Sequence, residues 1–123
     1  MDISCLSQLN YLSKEIKMLT DKINKLNERK MKKGIGFDSE CEDEIIYLTD
    51  LLKNRRKKCF LDQRRIENFI STISDSQMRM IISLRYINGL SWQQVAFEMG
   101  EFDESYPRKK HNKFLKDLQR RVS

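Results

Sequence analysis

Residues 74–100 read SDSQMRMIISLRYINGLSWQQVAFEMG and contain the start and stop signals of two short helices. Asp75 can cap the first helix, and Gly89, which follows an asparagine, is a typical helix stop. Ser91 can cap the second helix, which ends at Gly100. The apolar residues at helical spacing in this second helix are Val95, Ala96 and Met99. The stretch therefore predicts two helices in quick succession.

Residues 105–123, which follow a turn of acidic residues, carry the whole net charge of +6. They hold seven lysines and arginines and a single acid, Asp117, so that seventeen residues of each sign remain in the rest of the chain. Ser105 is expected to cap a third helix, and Pro107 is tolerated in its first turn because amide protons there have no partner within the helix. A short helix, a turn and a basic helix form the order that a helix-turn-helix motif requires.

Two segments of the chain are rich in basic residues. The segment at 105–123 suits the phosphate backbone of DNA, because each lysine or arginine that neutralises a phosphate releases condensed counterions. The alternative is a solvated basic tail. The second cluster lies at 53–65 and is balanced by acids elsewhere in the same region, so we interpret it as a solvated helix face.

Residues 84–92, Leu-Arg-Tyr-Ile-Asn-Gly-Leu-Ser-Trp, with Val95-Ala96 and Gly100, resemble the helix-turn-helix of the C-terminal region 4 of sigma factors. Small transcriptional regulators encoded by phages and prophages share this module. The resemblance covers about residues 75–118, and residues 107–116 are similar to the recognition helix of regulators from phages of low-GC Gram-positive bacteria. It implies a module at 74–123 that binds double-stranded DNA. Two features depart from the family: a longer, more acidic turn before Ser105, and the proline at 107.

The resemblance also implies roles for individual side chains. The recognition helix of such modules lies in the major groove, and the helix before it crosses the phosphate backbone. The residues expected on the packed face are Phe114, Leu115 and Leu118. Those expected to face the bases are Ser105, Tyr106, Arg108, Lys109, Asn112 and Lys113. Arg108 and Lys109 can pair with guanine and Asn112 with adenine. Phosphate contacts are expected from Ser91, Gln93, Gln94 and Lys116, and the alternative for every residue of both sets is a solvated side chain.

Trp92 and His111 have two possible roles each. Trp92 could stack on a base, but its place beside Ser91 favours packing in the core of the module. His111 is expected at the rim of that core, with no part in chemistry.

Two long helices are predicted in residues 1–73. In the first, at about 5–32, apolar residues recur at heptad spacing. These are Leu9, Leu12, Ile16, Leu19, Ile23 and Leu26. Gly34 and Gly36 break the pattern, and Asp38 with Ser39 offers a cap for the second helix. In the second helix, Ile45, Leu52, Cys59, Ile66 and Ile73 recur every seven residues and form a second heptad seam, which Arg55 and Asp62 interrupt.

These two helices are too long for a compact body of this size, so we expect a coiled-coil-like antiparallel hairpin at 1–73. The hairpin buries only a narrow stripe, and a second copy would add apolar contacts that one chain cannot supply. A homodimer through the N-terminal helices is therefore expected. Whether the heptads pair within one chain or between two is left open.

The composition predicts an all-α fold, because a third of the 123 residues are charged and the chain has one proline and four glycines. Cys5, Cys41 and Cys59 are widely spaced, which favours buried thiols over a zinc site. The chain shows no catalytic motif, so we expect neither enzyme activity nor a cofactor. It also lacks an apolar run of about 18 residues and a signal peptide, so a cytoplasmic protein without membrane contact is expected.

Three functional classes remain open. The first is a phage or prophage transcription regulator that binds a promoter, with host RNA polymerase as a further candidate partner. The second is a DNA-packaging subunit similar to a small terminase, although such proteins usually carry the DNA-binding part first. The third is a helical protein-interaction module whose basic arm binds DNA without sequence preference.

Overall fold

The computed structural model describes residues 4–33 and 39–122, and every regular element in these two ranges is a helix. The helices are α1 (Ser4–Lys33), α2 (Ser39–Thr72), α3 (Ser76–Ile82), α4 (Trp92–Glu98) and α5 (Ser105–Val122), and a π-helical turn at Ser83–Ile87 continues α3. The expected all-α class is therefore confirmed. The predicted breaks and cap at Gly34, Gly36 and Asp38 lie outside the described residues. None of the described helices combines the length and apolar character needed to cross a membrane.

The chain divides into two compact units. One consists of residues 11–61, from α1 and α2. The other joins the first turns of α1 and the end of α2, from residue 62, to α3, α4 and α5. The sequence placed a boundary between residues 73 and 74 instead. The second unit extends beyond that boundary because Leu6, Leu9 and Ile66 are buried in it together with the short helices.

In the unit of residues 11–61, side chains of α1 and α2 contact one another. Ile23, Leu48 and Leu52 form a buried apolar cluster. Two ion pairs connect the helices: Lys30 Nζ lies 2.8 Å from Glu42 Oε1, and Arg55 Nε lies 2.7 Å from Glu15 Oε1. Arg55, which interrupts the predicted seam, is thus held by a carboxylate of the opposite helix. Such exposed pairs contribute about 1 kcal/mol or less to stability. The apolar cluster is therefore the main source of stability in this unit.

The structure also shows the surroundings of Asp62 and of the three cysteines. Asp62 is 2% exposed and its Oδ1 lies 3.8 Å from Arg65 Nη1. The three cysteines are half-buried, so the expectation of buried thiols was wrong. Cys59 Sγ lies 3.9 Å from Ser13 Oγ, because the serine occupies the opposing position of α1.

The unit that contains the short helices is built on a buried face of α3. Met78, Ile81 and Ile82 are buried at helical spacing, and α3 packs against α5. α4 packs against α5 and against the π-helical turn. Val95 and Ala96 are buried as expected, whereas Met99 is only half-buried. The outcome is a three-helix arrangement in which one face of α5 is held by α3 and α4.

The turn between the π-helical segment and α4 depends on Gly89, which has a φ of +68°. Replacement of Gly89 by alanine is expected to lower the free energy of unfolding by about 1–2 kcal/mol, the cost of a left-handed backbone for an L residue. The added Cβ would also lie only 3.2 Å from Asn10 Oδ1. Urea unfolding followed by circular dichroism measures this change.

Gly100 provides the matched control, because its φ is +75° and a Cβ there meets no atom within 4 Å. Gly100→Ala is therefore expected to cost less than Gly89→Ala. A larger loss of stability for Gly100→Ala would contradict the role given to the contact between Gly89 and Asn10.

Candidate nucleic-acid interface

The start of α4 is fixed by a reciprocal cap. Ser91 Oγ accepts a hydrogen bond from the Gln94 backbone amide at 3.2 Å, and the Ser91 amide donates to Gln94 Oε1 at 2.9 Å. This capping box satisfies two amide groups that lack partners within the helix. Ser91 and Gln94 were predicted to contact phosphates, and both are exposed, but the hydroxyl oxygen of one and the amide oxygen of the other are engaged in the cap. Gln93 is exposed on the same helix.

The start of α5 is capped by Asp103, and the prediction that Ser105 caps it was wrong. Asp103 Oδ1 accepts a hydrogen bond from the Ser105 amide at 3.0 Å, and Ser105 is the first residue of the helix. Hydrogen bonds from the amide and hydroxyl of Ser105 lower the pKa of the Asp103 carboxyl, and the charges of Lys109 and Arg108 lower it further. Both residues could serve as caps, and the path of the turn selects the aspartate. The Ser105 side chain is therefore directed to the turn.

One face of α5 is a row of exposed polar and basic side chains. The members are Arg108, Lys109, Asn112, Lys113 and Lys116, and all of them are exposed. Their spacing of one, three, one and three residues places them on the same side of the helix. Pro107 and His111 are buried on the other side, and the apolar residues predicted to pack there are half-buried. We call the five exposed residues the α5 row.

Tyr106 is the remaining residue that was predicted to face the bases. Its ring lies 5.0 Å from Lys110 Nζ, and its hydroxyl accepts a hydrogen bond from Gln77 Nε2 at 3.5 Å. The side chains of Lys110 and Gln77 also bond to each other. Hydrogen bonds from Lys110 and Gln77 lower the pKa of the Tyr106 hydroxyl. Tyr106 is therefore tied to α3, and it is only partly accessible beside the α5 row.

A cluster of ring side chains lies behind the α5 row. The Tyr86 hydroxyl bonds to His111 Nε2, and the Trp92 ring packs edge-on against the imidazole at 4.7 Å. The Arg85 guanidinium lies 4.6 Å from the centre of the Trp92 ring and donates to the Leu90 carbonyl at 2.8 Å. Trp92 is half-buried in this packing. His111, expected at the rim, is only 6% exposed, which corrects that expectation.

Sequence reasoning missed the partnership of Tyr86 and His111. A local signal was present, because His111 follows Pro107 by four residues and precedes Phe114 by three, which places it on the packed face of α5. The partner could not be found in this way, because Tyr86 lies on a different element.

Burial lowers the pKa of His111 below its ordinary value of 6.5, and the nearby charge of Arg85 lowers it further, while the hydrogen bond with Asn112 acts in the opposite direction. The unfolded chain therefore takes up this proton before the folded chain does as the pH falls. The contribution of neutral His111 to stability is complete above pH 6.5 and decreases below it. Burial also raises the pKa of Tyr86, which stays protonated throughout this window.

The melting temperature is accordingly expected to fall between about pH 7 and about pH 5, and thermal unfolding at a series of pH values measures it. His111→Gln is expected to be less stable at neutral pH but to lose less stability on acidification. Asp103 does not affect this comparison, because its contribution to stability is lost only below its ordinary pKa of 3.8, outside the pH range compared. An equal acid dependence in both proteins would contradict the assignment to His111.

Comparisons with models of protein families, with curated proteins and with solved structures found no match to this chain. Among the residues that the structure describes, no three histidine, cysteine or acidic side chains come together in a way that could hold a metal ion.

Proposed function

We propose that this chain is a sequence-specific DNA-binding transcriptional regulator of phage or prophage origin, which reads the major groove with α5. The observation that carries the proposal is the α5 row, in which four basic side chains and one asparagine share an exposed helix face. Arginine and lysine pair with guanine in the major groove, and asparagine is suited to adenine. The row therefore combines groups for base contacts with groups for phosphates.

The packing of α5 supports the same function. Base readout is stronger when the helix that carries the reading side chains is held in place before binding, because any group that must be ordered on binding reduces the affinity. The opposite face of α5 packs against α3 and α4, and its Pro107 and His111 are buried. α5 is 18 residues long, about 27 Å, which is enough to cross the major groove with its first turns in contact with bases. α4 would then be the first helix of a helix-turn-helix, with Gln93 and Gln94 toward the phosphates.

A homodimer through the N-terminal helices is part of this proposal. In the unit of residues 11–61, Tyr11, Met18, Ile46 and Tyr47 are all more than half exposed, which leaves apolar surface for a second copy. Two recognition helices on one two-fold axis would contact half-sites about one turn of DNA apart. A mass measurement in solution distinguishes the dimer from a monomer, and from the larger ring of a packaging subunit.

The experiment that tests the function is selection from a pool of random and phage DNA fragments at about 150 mM salt, where nonspecific binding is weak. The expected result is the recovery of a common sequence, together with affinity that falls steeply as salt increases. Binding without a common sequence, which vanishes at moderate salt, would contradict specific regulation.

Binding of a protein partner is a second candidate function, because one observation favours it. Phe97 is 80% exposed and Phe102 is fully exposed. Phe97 also lines a shallow groove with Leu90, Gln93, Gln94 and Glu98. An exposed aromatic ring beside a groove on the surface of a small unit is a feature that protein-binding sites use.

A further inference from the structure

Asn112 is the member of the α5 row that is bonded to the buried cluster. Its Oδ1 lies 2.9 Å from His111 Nδ1, and the other ring nitrogen of His111 bonds to the Tyr86 hydroxyl. The three side chains thus form a continuous chain of hydrogen bonds from the core to the exposed face. Among the described residues, no buried side-chain nitrogen or oxygen lacks a hydrogen-bond partner.

The two contacts determine which nitrogen of His111 carries the proton. An amide oxygen can only accept a hydrogen bond, so Nδ1 must be the donor to Asn112. A neutral imidazole has one donor and one acceptor, and Nε2 therefore accepts from the Tyr86 hydroxyl. Burial of the ring favours this neutral form, and the cation of Arg85 nearby disfavours a second proton.

The orientation of the Asn112 amide follows from the same bonds. Its oxygen is directed to His111, and its Nδ2 group is the part that remains for a ligand on the exposed face. Without this bond the amide could present either end, because a half-turn about its last torsion exchanges oxygen and nitrogen. In the structure Oδ1 is the atom that faces His111 Nδ1, and this leaves Nδ2 on the exposed side. The reversed amide would need the other tautomer of His111, in which Nδ1 accepts and Nε2 donates to the Tyr86 hydroxyl.

We propose that Tyr86 and His111 are positioning residues that set the base specificity of Asn112, by fixing its amide so that Nδ2 is offered to DNA as a donor. This inference rests on the proposed DNA-binding function. In the major groove, purines present acceptors at N7, and thymine presents one at O4, whereas cytosine presents only the N4 donor. We therefore expect a purine or thymine opposite Asn112 Nδ2, and we expect cytosine to be excluded at that position. Adenine remains compatible, because Asn112 Nδ2 can donate to its N7 acceptor. A contact in which Asn112 Oδ1 alone accepts from the adenine N6 group is not expected.

The test combines two measurements on Tyr86→Phe, which removes the hydroxyl that donates to His111 Nε2. The first is nitrogen NMR of histidine-labelled free protein, which shows the ring nitrogen that carries the proton. The second is selection from the DNA pool. The expected results are a proton on Nδ1 in the unaltered protein, a mixture of both forms in Tyr86→Phe, and discrimination against cytosine at one position that falls about tenfold in the variant. Ser71→Ala, which removes an exposed hydroxyl at the end of α2, should change neither measurement.

Asn112→Asp keeps the proposal testable should Tyr86→Phe fail to fold, because Asn112 is exposed. The carboxylate still accepts from His111 but has no donor, so the preferred base at that position should change to cytosine, whose N4 donates. An unchanged preference in Asn112→Asp, or in a folded Tyr86→Phe, would overturn the proposal.

The NMR measurement separates the failure of this inference from the failure of the proposed function. A proton on Nε2 in the unaltered protein overturns the inference even when a common DNA sequence is selected. A proton on Nδ1 in a protein that selects no sequence overturns the DNA-binding function, and with it the specificity, while the hydrogen-bond chain itself is supported.

Discussion

Loss of sequence selection is the expected result for a double variant, Arg108→Ala and Asn112→Ala, in the pool of DNA fragments at about 150 mM salt. A good pair between Arg108 and a base contributes about 1–3 kcal/mol of discrimination, and the single donor contact of Asn112 adds about 1 kcal/mol, so that removing both should abolish about 2–4 kcal/mol of preference. Nonspecific affinity should fall much less, because Lys109, Lys113 and Lys116 remain for phosphates. Binding to the selected sequence and to a scrambled one measures the difference.

α2 offers a matched control for this variant. Asn54 and Arg56 are exposed residues of the same two types in the other unit, and replacing both by alanine removes the same charge. This pair should leave selection intact. Equal effects of the two double variants would show that total charge, and not the α5 row, governs binding. The unfolding curve of the α2 pair should match that of the unaltered protein, since Asn54 and Arg56 are exposed. The α5 pair also loses the hydrogen bond from His111 Nδ1 to Asn112 Oδ1 and should be less stable by about 1–3 kcal/mol, so binding is compared well below its melting temperature.

Ile81→Ala is expected to lower the free energy of unfolding more than any other variant proposed here. The side chain is fully buried on α3, which packs against α5. Replacement of a buried isoleucine by alanine costs about 2–5 kcal/mol, from lost apolar burial and from the cavity that remains. That is a large share of the roughly 5–15 kcal/mol that stabilises a typical domain. Because α5 is held by this packing, DNA binding near the melting temperature should be lost together with the fold.

Met80→Ala is the control for this prediction, because Met80 is the neighbouring residue of α3 and is 41% exposed. Its effect on the free energy of unfolding should stay within about 1 kcal/mol. Urea unfolding followed by circular dichroism compares the two variants. Similar losses of stability in both would mean that Ile81 does not contribute to the core as its burial indicates.

The sequence was most informative where structure depends on neighbouring residues. The all-α class followed from composition and heptad spacing, and the starts of α3 and α4 followed from Asp75 and Ser91, which cap these helices in the structure. Gly89 and Gly100 were predicted as stops and have positive φ angles. Five of the ten residues predicted to contact DNA are the members of the α5 row, and these five are exposed on one face of the helix. These features are local, because they need only the periodicity of the helix and the chemistry of its ends.

Other features were decided by tertiary contacts. The cap of α5 is Asp103 because the turn places its carboxylate at the Ser105 amide, and either residue type satisfies the sequence pattern. The first turns of α1 belong with the short helices, since Leu6 and Leu9 are buried there.

Tyr86 and His111 are 25 positions apart, and their bond exists because α5 packs against the elements that precede it. Helical spacing determines which residues share a face of α5. Which side chain of another helix lies opposite His111, and which end of the Asn112 amide remains exposed, depends on the packing of several elements at once, and that packing exists only in the folded chain.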